Sequence, residues 1–399
     1  MKSIEQNRVI RQCLSLLPTE EFSCPLLNYG YNKLSTEALL KLFVAAQLDQ
    51  WESYAEMEEK LRAHPELRDA IGLKDISGSQ VSRRINDLPT EWVQKLFVRV
   101  IATIKQLTQS SKGISQDIGR LNIVDATHLK LPEQLCDWAY VTKGWNVVKM
   151  HTRLVVTSPD TMYPDKIVPS NGIVSDHEGG DLLVASSDAT YVMDRGYASW
   201  KRIDHWLEQG IAFVVRINKN ARVFPMETYQ SSDDPSVLRD VKVTFSSSKH
   251  SVRLIEFTDD HGRLYRLLTS RWDLTTEQIM EIYKNRWMIE LFFKWIKQHL
   301  RLVNIWSTKP QGIWNQMFLA LITYGLALII KLVTRTTKTQ WQLLRLIRTY
   351  LYKSFDEFQA ELNRKKLKTS KGRQKVPISK KKGSVFVGNV ALIKEKKKK

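Results

Sequence analysis

Between Tyr283 and Lys297 the chain reads Tyr283-Lys-Asn-Arg286-Trp287-Met-Ile-Glu290-Leu-Phe-Phe-Lys294-Trp-Ile-Lys297. At roughly 100° per residue, Tyr283, Arg286, Glu290, Lys294 and Lys297 fall within about 80° of one another around a helix. Every other position from Trp287 to Ile296 is apolar. A polar line this narrow is too thin for an ordinary solvated face. It predicts a helix over Thr275–Leu300 buried on nearly all other sides, and therefore a core large enough to surround it. One acid among cations on that line can hold a metal, and its neighbours can hold phosphates. Together they point to phosphodiester chemistry.

A chain of 399 residues can supply such a core, with room for two or three domains. The formal charge of +19 is unevenly spread. From Arg364 to Lys399 fifteen Lys and Arg face a single acid, Glu395, so this tail carries +14 and the first 363 residues only +5. Such a tail suits a polyanionic partner through counterion release, or simply solvates an unstructured end. Cys13, Cys24 and Cys136 lack metal-ligand spacing and read as thiols of a reducing cytoplasm. No apolar signal core opens the sequence. The uncharged stretch Ile313–Ile330 approaches membrane-spanning length. It carries Asn315, Gln316, Thr323, Tyr324 and Gly325 without a companion span, which predicts a buried core helix and no membrane partner.

Residues 1–108 read as all-helical, with one start capped at Ser35 and a further helix over Tyr54–Leu61. Further on, Ser79 is placed to cap a short helix that presents Gln80, Arg83 and Arg84 on one side before Pro89 ends it. That pattern resembles a helix-turn-helix reading head, with Gln and Arg available to base edges and phosphates. An ordinary surface helix of a bundle is the competing reading. After a polar linker, Leu121–Asp125 is a short strand ending in an acid. Val147–Thr157 and Thr161–Pro169 are two more strands, and a helix fills Gly180–Ser186. Thr190–Asp194 is again a strand ending in an acid. A helix over Ala198–Gln209, closed by Gly210, leads to a strand at Ile211–Ile217. Further strands occupy an insertion at about 222–270 before the long helices. Strands alternating with helices in this order predict an α/β fold, a mixed sheet flanked by helices.

Asp125, Asp194 and Glu290 are thus the candidate catalytic and metal-binding acids. Hard Mg2+ or Mn2+ ions take oxygen ligands, and two of them can activate one oxygen and stabilise another in an in-line displacement. One Asp would bridge the two ions, while the other Asp and the Glu each hold one. His128 and His177 are candidates for a supporting position. Scattered histidines without HxxxH spacing argue against zinc, and the glycines at 179, 180 and 196 form no phosphate-cradling fingerprint. No nucleotide cofactor is expected.

On these residues the chain resembles the DDE-class bacterial insertion-sequence transposases with a Y-R-E-K signature, the "insertion sequence four" family. The likeness rests on Ile123-Val-Asp125-Ala-Thr, on Val192-Met-Asp194-Arg-Gly-Tyr197, and on Tyr283, Arg286, Glu290 and Lys297 at the family's spacing, with Trp287 directly after Arg286. It covers roughly residues 118–335 and implies an RNase H-like catalytic domain with a β-rich insertion. It also implies a helical N-terminal DNA-binding domain over 1–108; outside the likeness the sequence itself reads as a C-terminal helical region over 336–363 and a basic tail over 364–399. By this likeness Asp125, Asp194 and Glu290 hold two Mg2+ or Mn2+ ions. Tyr283, Arg286 and Lys297 meet DNA phosphates, and Lys294 on the same stripe is a further candidate. Relatives form a hairpin intermediate and flip a base against tryptophan. The insertion of about fifty residues is short for the family, so no detail of that hairpin handling is carried over.

The implied function is cut-and-paste transposition. Terminal inverted repeats would be bound, cut by two-metal phosphodiester hydrolysis, and joined through their 3′-OH ends to target DNA. A homodimer would bring two ends together in the cytoplasm, associated with the nucleoid. The alternatives are an inactive or domesticated DNA-binding derivative, a nuclease of the same fold without strand transfer, and a basic architectural protein whose acids are merely structural.

Overall fold

The computed structural model describes residues 7–364, apart from 32, 134–135, 186–187, 246–247, 249, 301 and 303–304. The basic tail expected over 364–399 lies outside the described residues from 365 onward. Apolar, β-branched runs form β1 (Leu121–Lys130), β2 (Tyr140–Thr142), β3 (Trp145–Ser158), β4 (Thr161–Asn171), β5 (Thr190–Met193) and β6 (Phe213–Arg216). The insertion adds β7 (Phe224–Thr228), β8 (Val237–Thr244), β9 (Val252–Thr258) and β10 (Leu264–Thr269). The core runs in the order β4-β3-β1-β5-β6, with β3 antiparallel to both neighbours and β5 parallel to both of its own. β10 pairs antiparallel with β6, so the insertion prolongs the same sheet through β9 and β8 to β7.

The first six helices are α1 (Val9–Ser15), α2 (Thr36–Asp49), α3 (Tyr54–Ala63), α4 (Pro65–Ile71), α5 (Gly78–Asp87) and α6 (Thr90–Leu107). Within the sheet region lie α7 (Asp176–Leu183) and α8 (Trp200–Glu208). Then follow α9 (Thr276–Lys284), α10 (Trp287–His299), α11 (Pro310–Thr334), α12 (Gln340–Tyr350) and α13 (Phe355–Leu362). Ser35 caps α2 as expected, its hydroxyl accepting from the Ala38 amide at 3.2 Å. Ser77, not Ser79, precedes α5, because the Gln80 side chain folds back to accept from the Ser77 amide at 3.3 Å.

The central strands are buried on both faces. Ile123, Val192 and Val214 join one apolar cluster with the N-terminal helices and α10–α13. Their neighbours Val124, Met193 and Val215 join the other, beneath α7 and α8. Successive side chains of a strand point to opposite faces, so a sheet covered on both sides needs apolar residues at consecutive positions.

α11 is long and apolar enough to cross a membrane, yet its residues from Gly312 to Ile329 are almost all buried in this core. Its polar residues have protein partners. Asn315 donates to the carbonyls of Ile85 and Leu88 at 2.9 and 2.7 Å, and Tyr324 donates to that of Met162 at 2.8 Å. Gly325 permits a close approach to α6, where an added Cβ would stand 2.7 Å from a Val100 methyl.

Three expectations are corrected. β1 does not end at Asp125; it continues to Lys130 because β3 pairs with it as far as Lys130↔Val147, while the pairing with β5 stops at Val124↔Met193. The single helix expected over Thr275–Leu300 is two. At the junction the Arg286 amide bonds to the Tyr283 carbonyl at 3.0 Å and the Met288 amide to that of Asn285 at 2.9 Å, a tighter i→i−3 turn. Nor is α10 buried all round. It packs through Ile289, Phe292, Phe293 and Ile296, and leaves Trp287 55% and Leu291 49% exposed.

Candidate active site

The parallel pairing of β1 and β5 brings two acids to one crevice. Val124 is paired with Met193, and the next residues are Asp125 and Asp194. Crevices at the carboxyl ends of parallel strands, where the sheet's connections diverge, are where such folds bind ligands. Asp194 leaves β5 in an extended conformation and opens a short 3-10 turn, Arg195–Tyr197, whose Tyr197 amide bonds back to the Asp194 carbonyl at 3.0 Å. Glu290, in the first turn of α10, is the third acid.

Arg286 ties α10 to the sheet. Its Nη1 stands 3.5 Å from Asp125 Oδ2 and its Nη2 2.5 Å from Glu290 Oε1. Tyr283 is buried and donates from its hydroxyl to Asp194 Oδ1 at 3.5 Å, its ring edge-on to Tyr265. Burial pushes the Asp125 carboxyl up to about 6, opposed by the Ala126 amide and the Arg286 guanidinium and reinforced by the charges of Asp194 and Glu290. Asp125 therefore feels both of the other carboxylates from a largely buried position. Burial raises the Tyr283 hydroxyl further, aided by Asp194, so Tyr283 serves as a neutral donor. Burial lowers the Lys297 ammonium.

An open cavity of about 520 Å³ is lined by Asp125, Ala126, Thr127, Glu290, Phe293, Lys294, Lys297 and Gln298. The stripe read from the sequence is thus one wall of a cleft whose other wall is β1. Lys294 and Trp287 are exposed and Lys297 is half-buried. Trp287 does not line this cavity. The acids offer the hard oxygen donors that Mg2+ or Mn2+ takes. Among the described residues no three acid, His or Cys side chains stand close enough to hold one ion as they are, and the Arg286 fork joins Asp125 to Glu290. The donor set fits such a metal in chemistry.

The residues expected to read DNA from α5 fare differently. Arg83 is exposed. Gln80 is half-buried and partly spent on Ser77. Arg84 is corrected: it is 3% exposed, donates to the Leu27 carbonyl and the Thr36 hydroxyl at 2.6 Å each, and lies over the Tyr31 ring. It braces the helix from inside.

His128 on β1 has its ring near that of Trp145 on β3, and its proton affinity is lowered by partial burial and by the charges of Lys149 and Lys297. Sequence reasoning gave no role to Tyr197 or Gly180. Tyr197 is buried, its hydroxyl within range of the charges of Asp125, Asp176 and Asp194, and Gly180 leaves room for its ring. The Asp-Arg-Gly-Tyr run was the available signal.

The model of the transposase DDE domain matches residues 118–326, more than half of the chain, from just before β1 into α11. The chain belongs to this transposase family. A probable transposase for insertion sequence element IS5377 from Geobacillus stearothermophilus is 28% identical over 296 residues, 72% of this chain and 74% of that one. A putative transposase for insertion sequence element IS4SA from Synechocystis is 27% identical over 250 residues, 60% of this chain and 67% of the relative. A structure of the piggyBac transposase synaptic complex with hairpin DNA is similar with a TM-score of 0.47 at 13% identity, covering 90% of this chain and 83% of that one. The transposase core of this chain is α/β, as expected: five strands in the order β4-β3-β1-β5-β6, flanked by helices, with a β insertion before α9.

Proposed function

We propose that the chain binds the terminal inverted repeats of its own mobile element, cuts them, and joins the freed 3′-OH ends to target DNA. What supports this most is the meeting of Asp125 and Asp194 at the ends of the paired stretch of β1 and β5, with Glu290 linked to Asp125 through Arg286. Asp125, Asp194 and Glu290 would hold two Mg2+ or Mn2+ ions. Bound there, such ions supply an activated attacking oxygen and stabilise the leaving oxygen.

The protein's own contribution is position and charge. Tyr283 fixes the Asp194 carboxylate by its hydroxyl, and Lys294 and Lys297 offer cations to phosphates along the cleft wall. Trp287, exposed one residue after Arg286, offers a flat apolar face to an unstacked base. Residues 1–108, with Gln80 and Arg83 at the surface of α5, would bind the element ends, while 118–335 carries out the chemistry. Region 336–363 completes the helical packing, and the basic tail over 364–399 would add affinity for a polyanion. A homodimer would hold two ends at once, and the work would be done in the cytoplasm at the nucleoid.

The test is incubation of purified chain with inverted-repeat DNA, a second duplex and Mg2+. Cutting at the element end followed by joining to the second duplex is expected. Binding without cutting would leave an inactive DNA-binding derivative, and cutting without joining a nuclease of the same fold.

A further inference from the structure

The cation that Asp125 and Glu290 share in this structure is Arg286. Both ends of its fork are engaged, Nη1 toward Asp125 and Nη2 on Glu290, with the side chain 16% exposed. Burial works against the guanidinium charge, and the carboxylates of Glu290 and Asp125 offset it. An arginine cannot escape a conflict of charge by losing its proton. A divalent ion arriving between Asp125 and Glu290 would meet a fixed positive charge on the oxygens it needs.

We infer that Arg286 is a displaceable counter-cation, competing with divalent metal for Asp125 and Glu290. This rests on the reading of the site as a metal-dependent DNA-cutting centre. Three features of the chain favour competition over a shared arrangement. Arg286 lies four residues before Glu290, so its grip on that carboxylate is local and forms whenever the helix forms. It reaches Asp125 across the cleft, so the same side chain spans the space between sheet and helix. The junction turn at Asn285–Arg286 is held by i→i−3 bonds, a place where a helix can reorganise without losing its packed face. Once displaced, the guanidinium is free to turn to a substrate phosphate, which accepts the same two-pronged donor as a carboxylate. Arg286 is then a positioning residue. It holds Asp125 and Glu290 as a pair and keeps free metal off them until something stronger takes its place.

The experiment is Mn2+ binding to the full chain without DNA, followed by the loss of the free-ion electron paramagnetic resonance signal. The proteins are wild type, Arg286→Gln and Asp125→Asn. Removing the resident cation is expected to tighten Mn2+ binding by about tenfold in Arg286→Gln, since a partly buried pair of carboxylates loses the counter-charge that is paired with both of them. Asp125→Asn is expected to weaken it. A purely structural role for Arg286 would instead weaken Mn2+ binding when the side chain is removed. If Arg286→Gln binds Mn2+ no more tightly than wild type while Asp125→Asn weakens binding, the competition is refuted and the metal reading stands. If Asp125→Asn also changes nothing, the ions sit elsewhere and both fall. Should Arg286→Gln fail to fold by circular dichroism, Arg286→Lys carries the same test. An ammonium cannot bridge both carboxylates in that geometry, and tightening by about threefold is expected.

Discussion

Arg253 and Asp240 form an ion pair with neither side chain exposed, Nη2 to Oδ2 at 2.6 Å, between β9 and β8 of the insertion. The Thr276 hydroxyl donates to the same Asp240 oxygen at 2.7 Å from the first turn of α9. Arg253 also donates to the carbonyls of Leu274 and Arg271 at 2.6 and 3.1 Å. The insertion therefore holds the start of the helix pair that carries Tyr283, Arg286 and Glu290. Its charges set where the third acid stands.

Breaking that pair from one side strands a buried charge. Arg253→Met is expected to cost about 3–5 kcal/mol, read as a lower urea midpoint with an unchanged slope. The double change Arg253→Met with Asp240→Leu is expected to recover much of the loss, because it removes both desolvated charges together.

Replacing any one acid with its amide keeps the shape and removes the ligand charge. Asp125→Asn, Asp194→Asn and Glu290→Gln are each expected to lower cleavage of end DNA by roughly a thousandfold or more. Gel-shift affinity for the same DNA is expected to stay within a few-fold of wild type, since phosphate contacts made elsewhere set it.

Lys297 is a half-buried cation on the cleft wall. Lys297→Ala is expected to weaken DNA binding across all sequences alike. The slope of log affinity against log salt should fall by about one, the signature of one lost phosphate contact. An unchanged slope would remove Lys297 from the phosphate path.

Acid lability should appear in the insertion. Glu256 on β9 lies between Arg239 and Arg266, at 2.5 and 2.6 Å. Burial pushes its carboxyl up, but the two guanidiniums outweigh that and hold it below the usual glutamate value. A depressed folded value means stability fully present above the unfolded glutamate pKa and lost as pH falls through the folded one. Melting followed from pH 7 down to about pH 3 should show a drop that is shallower in Glu256→Gln, with the variant about 3 kcal/mol less stable at neutral pH.

The sheet is legible in the sequence because its central strands are short, apolar on consecutive positions and separated by helices of ordinary length. The nearness of Asp125 to Asp194 follows from the same pattern, since each comes at the same place after a buried run. The helix break at Asn285–Arg286 is not legible. No Pro or Gly marks it, and it arises from how α9 and α10 settle on different partners. Arg84 misleads for another reason. Its face of α5 looks solvated, and the groups that bury it, Leu27 and Thr36, lie some fifty residues away in sequence. Trp287 and Leu291 mislead in the opposite direction, being apolar yet exposed. A hydrophobic position tells of burial only when something covers it.

α11 threads the N-terminal helices and the catalytic sheet onto a single apolar spine. A protein built this way cannot trade its N-terminal helices for another set by simple exchange of segments, because a foreign partner would leave the spine exposed. Gly325, against a Val100 methyl of α6, and Asn315, bonded to the carbonyls of Ile85 and Leu88, are therefore bound by a packing constraint of their own, whatever the surface of those helices meets.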